Sequence, residues 1–110
     1  MFILNAFSLN MVPFQVCNIA MMELSVEGVQ EIIEDEGLES GIGHPDTAKI
    51  IGNMIGIELP VNRANITLKQ GDKVLIGQYM GPRLPEGATV LPEGARIKFI
   101  KISVTKAYNW

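Results

Sequence analysis

Gly41-Ile42-Gly43-His44-Pro45-Asp46-Thr47-Ala48-Lys49-Ile50-Ile51-Gly52-Asn53-Met54-Ile55-Gly56 is the stretch on which the fold turns. Pro45 suits the first position of a helix, where its missing N–H would have no partner anyway, and Asp46 suits the positive end of the helix dipole. Ile50, Ile51, Met54 and Ile55 then recur at helical spacing as one apolar stripe, and Gly56 supplies a stop. Gly52 inside this helix either costs roughly 1 kcal/mol against alanine or marks a place of close packing. Upstream, Ser25 suits an N-cap, Val26, Val29, Ile32 and Ile33 share one helical face, and Gly37 ends that helix.

Strand-like segments surround these two helices. Met1 to Phe7 is rich in strand formers, and Phe14 to Glu23 reads as a second strand after the break at Pro13. Leu38 to Ile42 is a linker or a short strand. Asn65 to Lys69 and Lys73 to Met80 look like a hairpin around Gln70-Gly71-Asp72. Arg96 to Thr105 sets Ile97, Phe99, Lys101 and Ser103 against Lys98, Ile100, Ile102 and Val104, so apolar residues fall on both sides and the strand is buried. Helices interleaved with strands predict an α/β (α+β) fold: a single domain over residues 1–110, with a mixed sheet of about five strands and two or more flanking helices.

Length and charge narrow the function. A chain of 110 residues has room for one modest core. The net charge is −3, and Glu31, Glu34, Asp35, Glu36 and Glu39 crowd one segment. Such a chain repels long polyanions, which argues against a general DNA or RNA binder but leaves a small anion in a local pocket open. No window approaches the ~20 apolar residues of a membrane helix, and the start lacks the basic region of a signal peptide, so a cytoplasmic protein is expected. Cys17 is the single cysteine, which removes disulfides and cysteine-based metal sites. The methionines lie in the expected strands and helices and read as core.

His44, the only histidine, sits in the turn that opens the second helix. The free N–H groups of a first helical turn make an anion site, and Gly41 and Gly43 let a phosphate approach the backbone. An imidazole titrates near neutral pH, so a histidine beside a phosphate can pass it a proton; a plain helix-opening histidine is the bland alternative. Arg83 in Gly81-Pro82-Arg83-Leu84-Pro85-Glu86-Gly87 can grip a phosphate through its fork while Glu86 orients a donor, or the two form a loop ion pair. Arg63 is a third cation with the same two readings. Asn5, Ser8 and Asn10 lie where the first strand ends, a place where open α/β sheets bind ligands and also simply turn. One histidine among scattered carboxylates has no zinc, calcium or two-metal pattern, so no metal and no cofactor is expected. Ser8, His44 and Asp46 could compose a triad, yet no serine lies in a nucleophile elbow.

Leu84-Pro85-Glu86-Gly87-Ala88 recurs as Leu91-Pro92-Glu93-Gly94-Ala95. Two copies are too few for a solenoid and read as paired turns in one long loop.

Taken together, Leu4-Asn5-Ala6-Phe7-Ser8-Leu9-Asn10-Met11, Ile42-Gly43-His44 with Thr47, Asn62-Arg63 and Pro82-Arg83-Leu84-Pro85-Glu86-Gly87 follow one another in an order that resembles the viral anti-CRISPR ring nucleases, a family also found in prophages and bacteria. The resemblance spans nearly the whole chain. It implies a homodimer that binds cyclic tetra-adenylate, the second messenger of type III CRISPR systems, and cuts it without metal to linear di-adenylates ending in a cyclic phosphate. It implies that a ribose 2′-hydroxyl attacks the adjacent phosphorus while His44 protonates the departing 5′-oxygen. Arg83 matches the arginine that steadies the scissile phosphate and Glu86 the glutamate beside the centre. Arg63, Ser8, Gly43 and Asn5 match ligand-contacting positions. The family carries a helix where this chain has its second Leu-Pro-Glu-Gly-Ala copy, so Glu93 competes with Glu86 for the role. Two other classes remain beside this one: a module that holds the ring uncut, and a phage protein that binds a host protein through its sheet.

Overall fold

The two-sided strand at the C-terminal end requires cover on both faces of the sheet, and a computed structural model describing Met1 to Trp110 provides it. The elements run β1 (Phe2–Leu4), a 3₁₀ turn (Leu9–Met11), β2 (Val16–Leu24), α1 (Val26–Glu36), β3 (Glu39–Ser40), α2 (Pro45–Ile55), β4 (Lys73–Met80) and β5 (Arg96–Tyr108). They form one α+β domain whose five strands lie in the order β2-β5-β4-β1-β3. β1 runs parallel to β3 and β4, whereas β5 is antiparallel to both β4 and β2.

On one face, Ile3, Leu75, Ile97 and Phe99 pack with Val29 of α1 and with Ile50, Ile51 and Ile55 of α2. On the other, Leu4, Val74, Ile76, Ile102 and Val104 pack with Met11, Val12 and Leu68, so the 3₁₀ turn and the segment before β4 form the second cover. Strand alternation is what splits neighbours such as Ile3 and Leu4, or Leu75 and Ile76, between the two cores. Both helices start and stop as their sequences dictate: the Ser25 hydroxyl accepts from Gly28 N–H at 3.1 Å, and Gly37 and Gly56 close them with positive φ.

Three expectations need correction. Asn65 to Lys69 is not a strand, and no hairpin forms. β4 already has β5 on one side and β1 on the other, so a segment arriving from α2 finds no free ladder position and crosses over the face instead. Its one link there is Leu68 N–H to Met11 C=O at 2.7 Å, with the chain turning at Lys69–Asp72. The first strand is also shorter than Met1 to Phe7, because the chain leaves the sheet at Asn5 for the Ser8-capped turn. Finally, the methionines are not all core. Met11 is buried, but Met21 is 65 % exposed and Met22 52 %. Both lie on β2, an edge strand whose outer part outruns the layers that cover the centre of the sheet.

The parallel arrangement decides where function can reside. β1, β3 and β4 point the same way, so the segments that follow them emerge at one edge: Asn5 to Asn10 after β1, Gly41 to His44 after β3, and the Gly81 to Ala95 loop after β4.

A histidine-arginine cleft at the carboxyl edge of the sheet

His44 is itself the N-cap of α2, and its Nδ1 accepts from Thr47 N–H at 3.3 Å. In the neutral ring this places the proton on Nε2. The Thr47 hydroxyl lies 3.1 Å from the same Nδ1, so its oxygen can accept a hydrogen bond from Nδ1–H when the ring is doubly protonated. Thr47 therefore orients the imidazole in both states and leaves Nε2 without a partner inside the chain.

Arg63 reaches the same turn by a route that the sequence hides. Asn62 N–H donates to Ile42 C=O at 2.8 Å, and the Asn62 side chain donates to Ser40 C=O at 2.8 Å. These two bonds clip the segment after α2 alongside β3. The stem of Arg63 then lies across Gly43 so closely that a Cβ on Gly43 would sit 2.5 Å from its Cγ. We expect Gly43→Ala to push the Arg63 stem aside with the fold intact, measurable as shifted Arg63 side-chain resonances at an unchanged melting midpoint.

Asn5, Gly41, Gly43, His44, Arg63 and Ala64 line an open cleft of about 340 Å³. Ser8 and Asn10 line an adjoining hollow of about 460 Å³ that shares Asn5, Gly41 and Ala64 with it. Arg83 and Glu86 do not line either space; both are exposed on the loop after β4. The loop ion pair that their spacing allows does not form, since the ion pairs of the fold are Met1 with Glu36 and Lys98 with Glu23. Arg63, Arg83 and Glu86 are thus all left without charged partners.

The repeated loop forms two turns of the same kind. Ala88 N–H donates to Pro85 C=O and Ala95 N–H to Pro92 C=O, with Gly87 and Gly94 at φ +78° and +81°. Only the first copy touches the start of α2, through Gly87 N–H to Asp46 Oδ2 at 3.0 Å. The second lies beyond it, after Asn53 has bonded Thr89 C=O at 3.0 Å. The first copy, which carries Glu86, is therefore the one bonded to the start of α2.

A larger groove of about 750 Å³ runs between α2 and the Ile57–Val61 segment. It holds Lys49 and Glu58 but neither the histidine nor the arginines, so size does not select it. No three His, Cys, Asp or Glu side chains gather as a metal-binding group, and no helix is long and apolar enough to cross a membrane.

Sequence reasoning found the cleft's Asn5, Gly43, His44 and Arg63 but missed their supports. Thr47 and Asn62 stood in the motif without a role, and Asp46 was read only as a helix-dipole residue or a triad member. Spacing alone carried no signal for Asn62, whose partners lie some twenty residues earlier in the chain.

Known proteins share this fold and much of this sequence. The chain is 37 % identical over 90 residues, 82 % of its length and 75 % of the other's, to "Uncharacterized protein 26" of Sulfolobus islandicus filamentous virus (isolate Iceland/Hveragerdi). The solved structure of B116 of Sulfolobus turreted icosahedral virus superposes with a TM-score of 0.72 at 29 % identity, covering 93 % of this chain and 97 % of that one. With residues 1–104 matching the family model described as STIV B116-like, the cleft and the sheet that builds it belong to a member of the STIV B116-like family.

Proposed function

We propose that this protein is a metal-independent ring nuclease. It binds cyclic tetra-adenylate between two copies of the chain and cuts it to linear di-adenylate ending in a 2′,3′-cyclic phosphate, which switches off type III CRISPR signalling in the cytoplasm. The observation that carries this reading is the gathering of Asn5, Gly43, His44 and Arg63 about one open cleft, with Nε2 of the sole histidine unpartnered. In the reaction a ribose 2′-oxygen bonds to the adjacent phosphorus and the P–O5′ bond breaks. The 2′-hydroxyl proton passes to water, and His44 Nε2 gives a proton to the departing 5′-oxygen. Holding the 2′-oxygen in line supplies much of the rate, and the acid adds about 10²–10⁴-fold. Arg63 meets ring phosphates at the cleft; Arg83 and Glu86 come to the scissile phosphate from the loop after β4.

A homodimer fits the open part of the sheet. Phe7, Met21, Ile76, Met80, Ile100 and Ile102 line a shallow apolar hollow on the face opposite the helices. Phe7 joins it to the ligand side, since Ser8 follows directly and Asn5 lies two residues before. A partner seated there would bring a second His44 toward the same ring, whose symmetry a two-fold dimer shares. Met21→Asp is expected to shift the protein toward monomer in analytical ultracentrifugation and to slow cleavage with it; a variant that stays dimeric places the interface elsewhere.

One observation favours a second reading. Arg83 and Glu86 stand outside the cleft, which suits a protein that holds the ring uncut. Radiolabelled cyclic tetra-adenylate incubated with the protein in EDTA separates the two. Di-adenylate as product supports the nuclease. Tight binding of an intact ring supports sequestration, and absence of binding removes both.

A further inference from the structure

The loop that carries Arg83 and Glu86 is held by three polar contacts. Tyr79 OH donates to Pro82 C=O at its start, Gly87 N–H donates to Asp46 Oδ2 at 3.0 Å, and Asn53 donates to Thr89 C=O at 3.0 Å. Asp46 and Asn53 are seven residues apart on α2, two turns along one face, so the loop lies lengthwise on the helix that His44 opens. Leu84, Ala88 and Leu91 pack beneath it against the helix-side core.

The middle contact is the informative one. The N–H that Asp46 accepts belongs to the peptide joining Glu86 to Gly87, so the bond fixes the backbone of Glu86 itself. Within the turn Gly87 has φ +78°, which aims that N–H out of the turn and toward α2. The second copy has the same turn, with Gly94 at φ +81°, and its N–H makes no such bond to the helix. Both copies pack a leucine against the core, but only the first is tied to α2 by a backbone N–H, and Asp46 is the acceptor that makes the tie. The contact is also electrostatically costly for an anion site: a carboxylate two residues from His44 repels an approaching phosphate.

We propose that Asp46 is a positioning residue that fixes the Glu86 turn against the helix start that His44 caps, at the expense of some ligand affinity. This role rests on the ring-nuclease reading. A carboxylate that accepts a backbone N–H makes a charge-assisted bond, and its loss lets the Glu86 turn drift from the helix start.

Single-turnover cleavage of cyclic tetra-adenylate, ring binding and amide exchange at Gly87 test the role in one set of proteins. Asp46→Ala should cut about 10-fold more slowly, bind the ring at least as tightly, melt somewhat below the wild type while staying folded at the assay temperature, and lose protection at Gly87. Asp46→Asn, which keeps an acceptor oxygen and drops the charge, should restore most of the rate. In a Glu86→Ala background, Asp46→Ala should cause no further loss, because a residue that acts through Glu86 has nothing left to place. Wild-type cleavage by Asp46→Ala overturns the proposal, as does the full tenfold loss repeated in the Glu86→Ala background. A wild-type protein that leaves the ring whole overturns the nuclease reading itself, and with it this role, before any variant is compared.

Discussion

On the ring-nuclease proposal, His44→Ala is expected to lose cleavage of cyclic tetra-adenylate by about 10²–10⁴-fold, the span that general-acid help contributes, with ring binding little changed. The effect falls on turnover because the cleft's cation, Arg63, stays in place over Gly43. His44 has a second duty as the N-cap of α2, and an alanine there removes an acceptor for Thr47 N–H at a cost of about 0.5–2 kcal/mol of stability. The two duties separate with His44→Asn. Asparagine is a favoured N-cap, so this variant melts with the wild type, yet it has no titrating nitrogen to give a proton to the leaving oxygen. Single-turnover rates and melting curves of both variants are the measurement. Loss of cleavage in both, with the midpoint lowered only in alanine, is the expected pattern; wild-type cleavage by either variant removes His44 from the chemistry.

Gly52→Ala carries the second large effect, and its sign is unusual. Helix propensity by itself favours alanine by about 1 kcal/mol in a helix interior. Here a Cβ would stand 2.7 Å from the backbone oxygen of Ile57 and 3.6 Å from Leu59 N. That oxygen cannot move easily, because Gly56 N–H and Ile57 N–H both donate to Gly52 C=O at 2.9 and 3.1 Å and so fold the chain back over the end of α2. The expected outcome is a loss of about 1–3 kcal/mol, the usual cost of overpacking. In a domain of this size that lowers the melting midpoint by several degrees, at about 4–8 °C per kcal/mol. The segment so disturbed leads through Asn62 to Arg63, so the proposed ring binding is expected to weaken in parallel. A raised midpoint in calorimetry would mean that the helix end relaxes around the methyl group.

Local chemistry made much of the fold readable. Ser25 and Gly37 bracket α1, and Pro45 and Gly56 bracket α2, because caps and stops act through neighbours in sequence. The two-sided alternation of β5 was equally plain, since side-chain direction in a strand depends only on parity. The Asn65–Lys69 hairpin failed for the opposite reason. Whether a strand-like segment joins a sheet depends on a vacant neighbour, and β1, distant in sequence, already occupies that edge of β4. Exposure of Met21 and Met22 was hidden in the same way, because an edge strand and a central strand can share composition.

For the site, the sequence by itself determined the inventory: one histidine at a helix start, glycines before it, and arginines in turns without a metal-ligand pattern. These are properties of residues and their immediate neighbours. Only the tertiary structure decided the company they keep. Parallel pairing of β1 with β3 and β4 carries Asn5, His44 and the Arg83–Glu86 loop to one edge, and the Asn62 clip brings Arg63 over Gly43. It also separated two identical Leu-Pro-Glu-Gly-Ala copies, placing Gly87 against Asp46 and Gly94 away from it. No local code can make that distinction, because the two turns are the same and only their distance from the start of α2 differs.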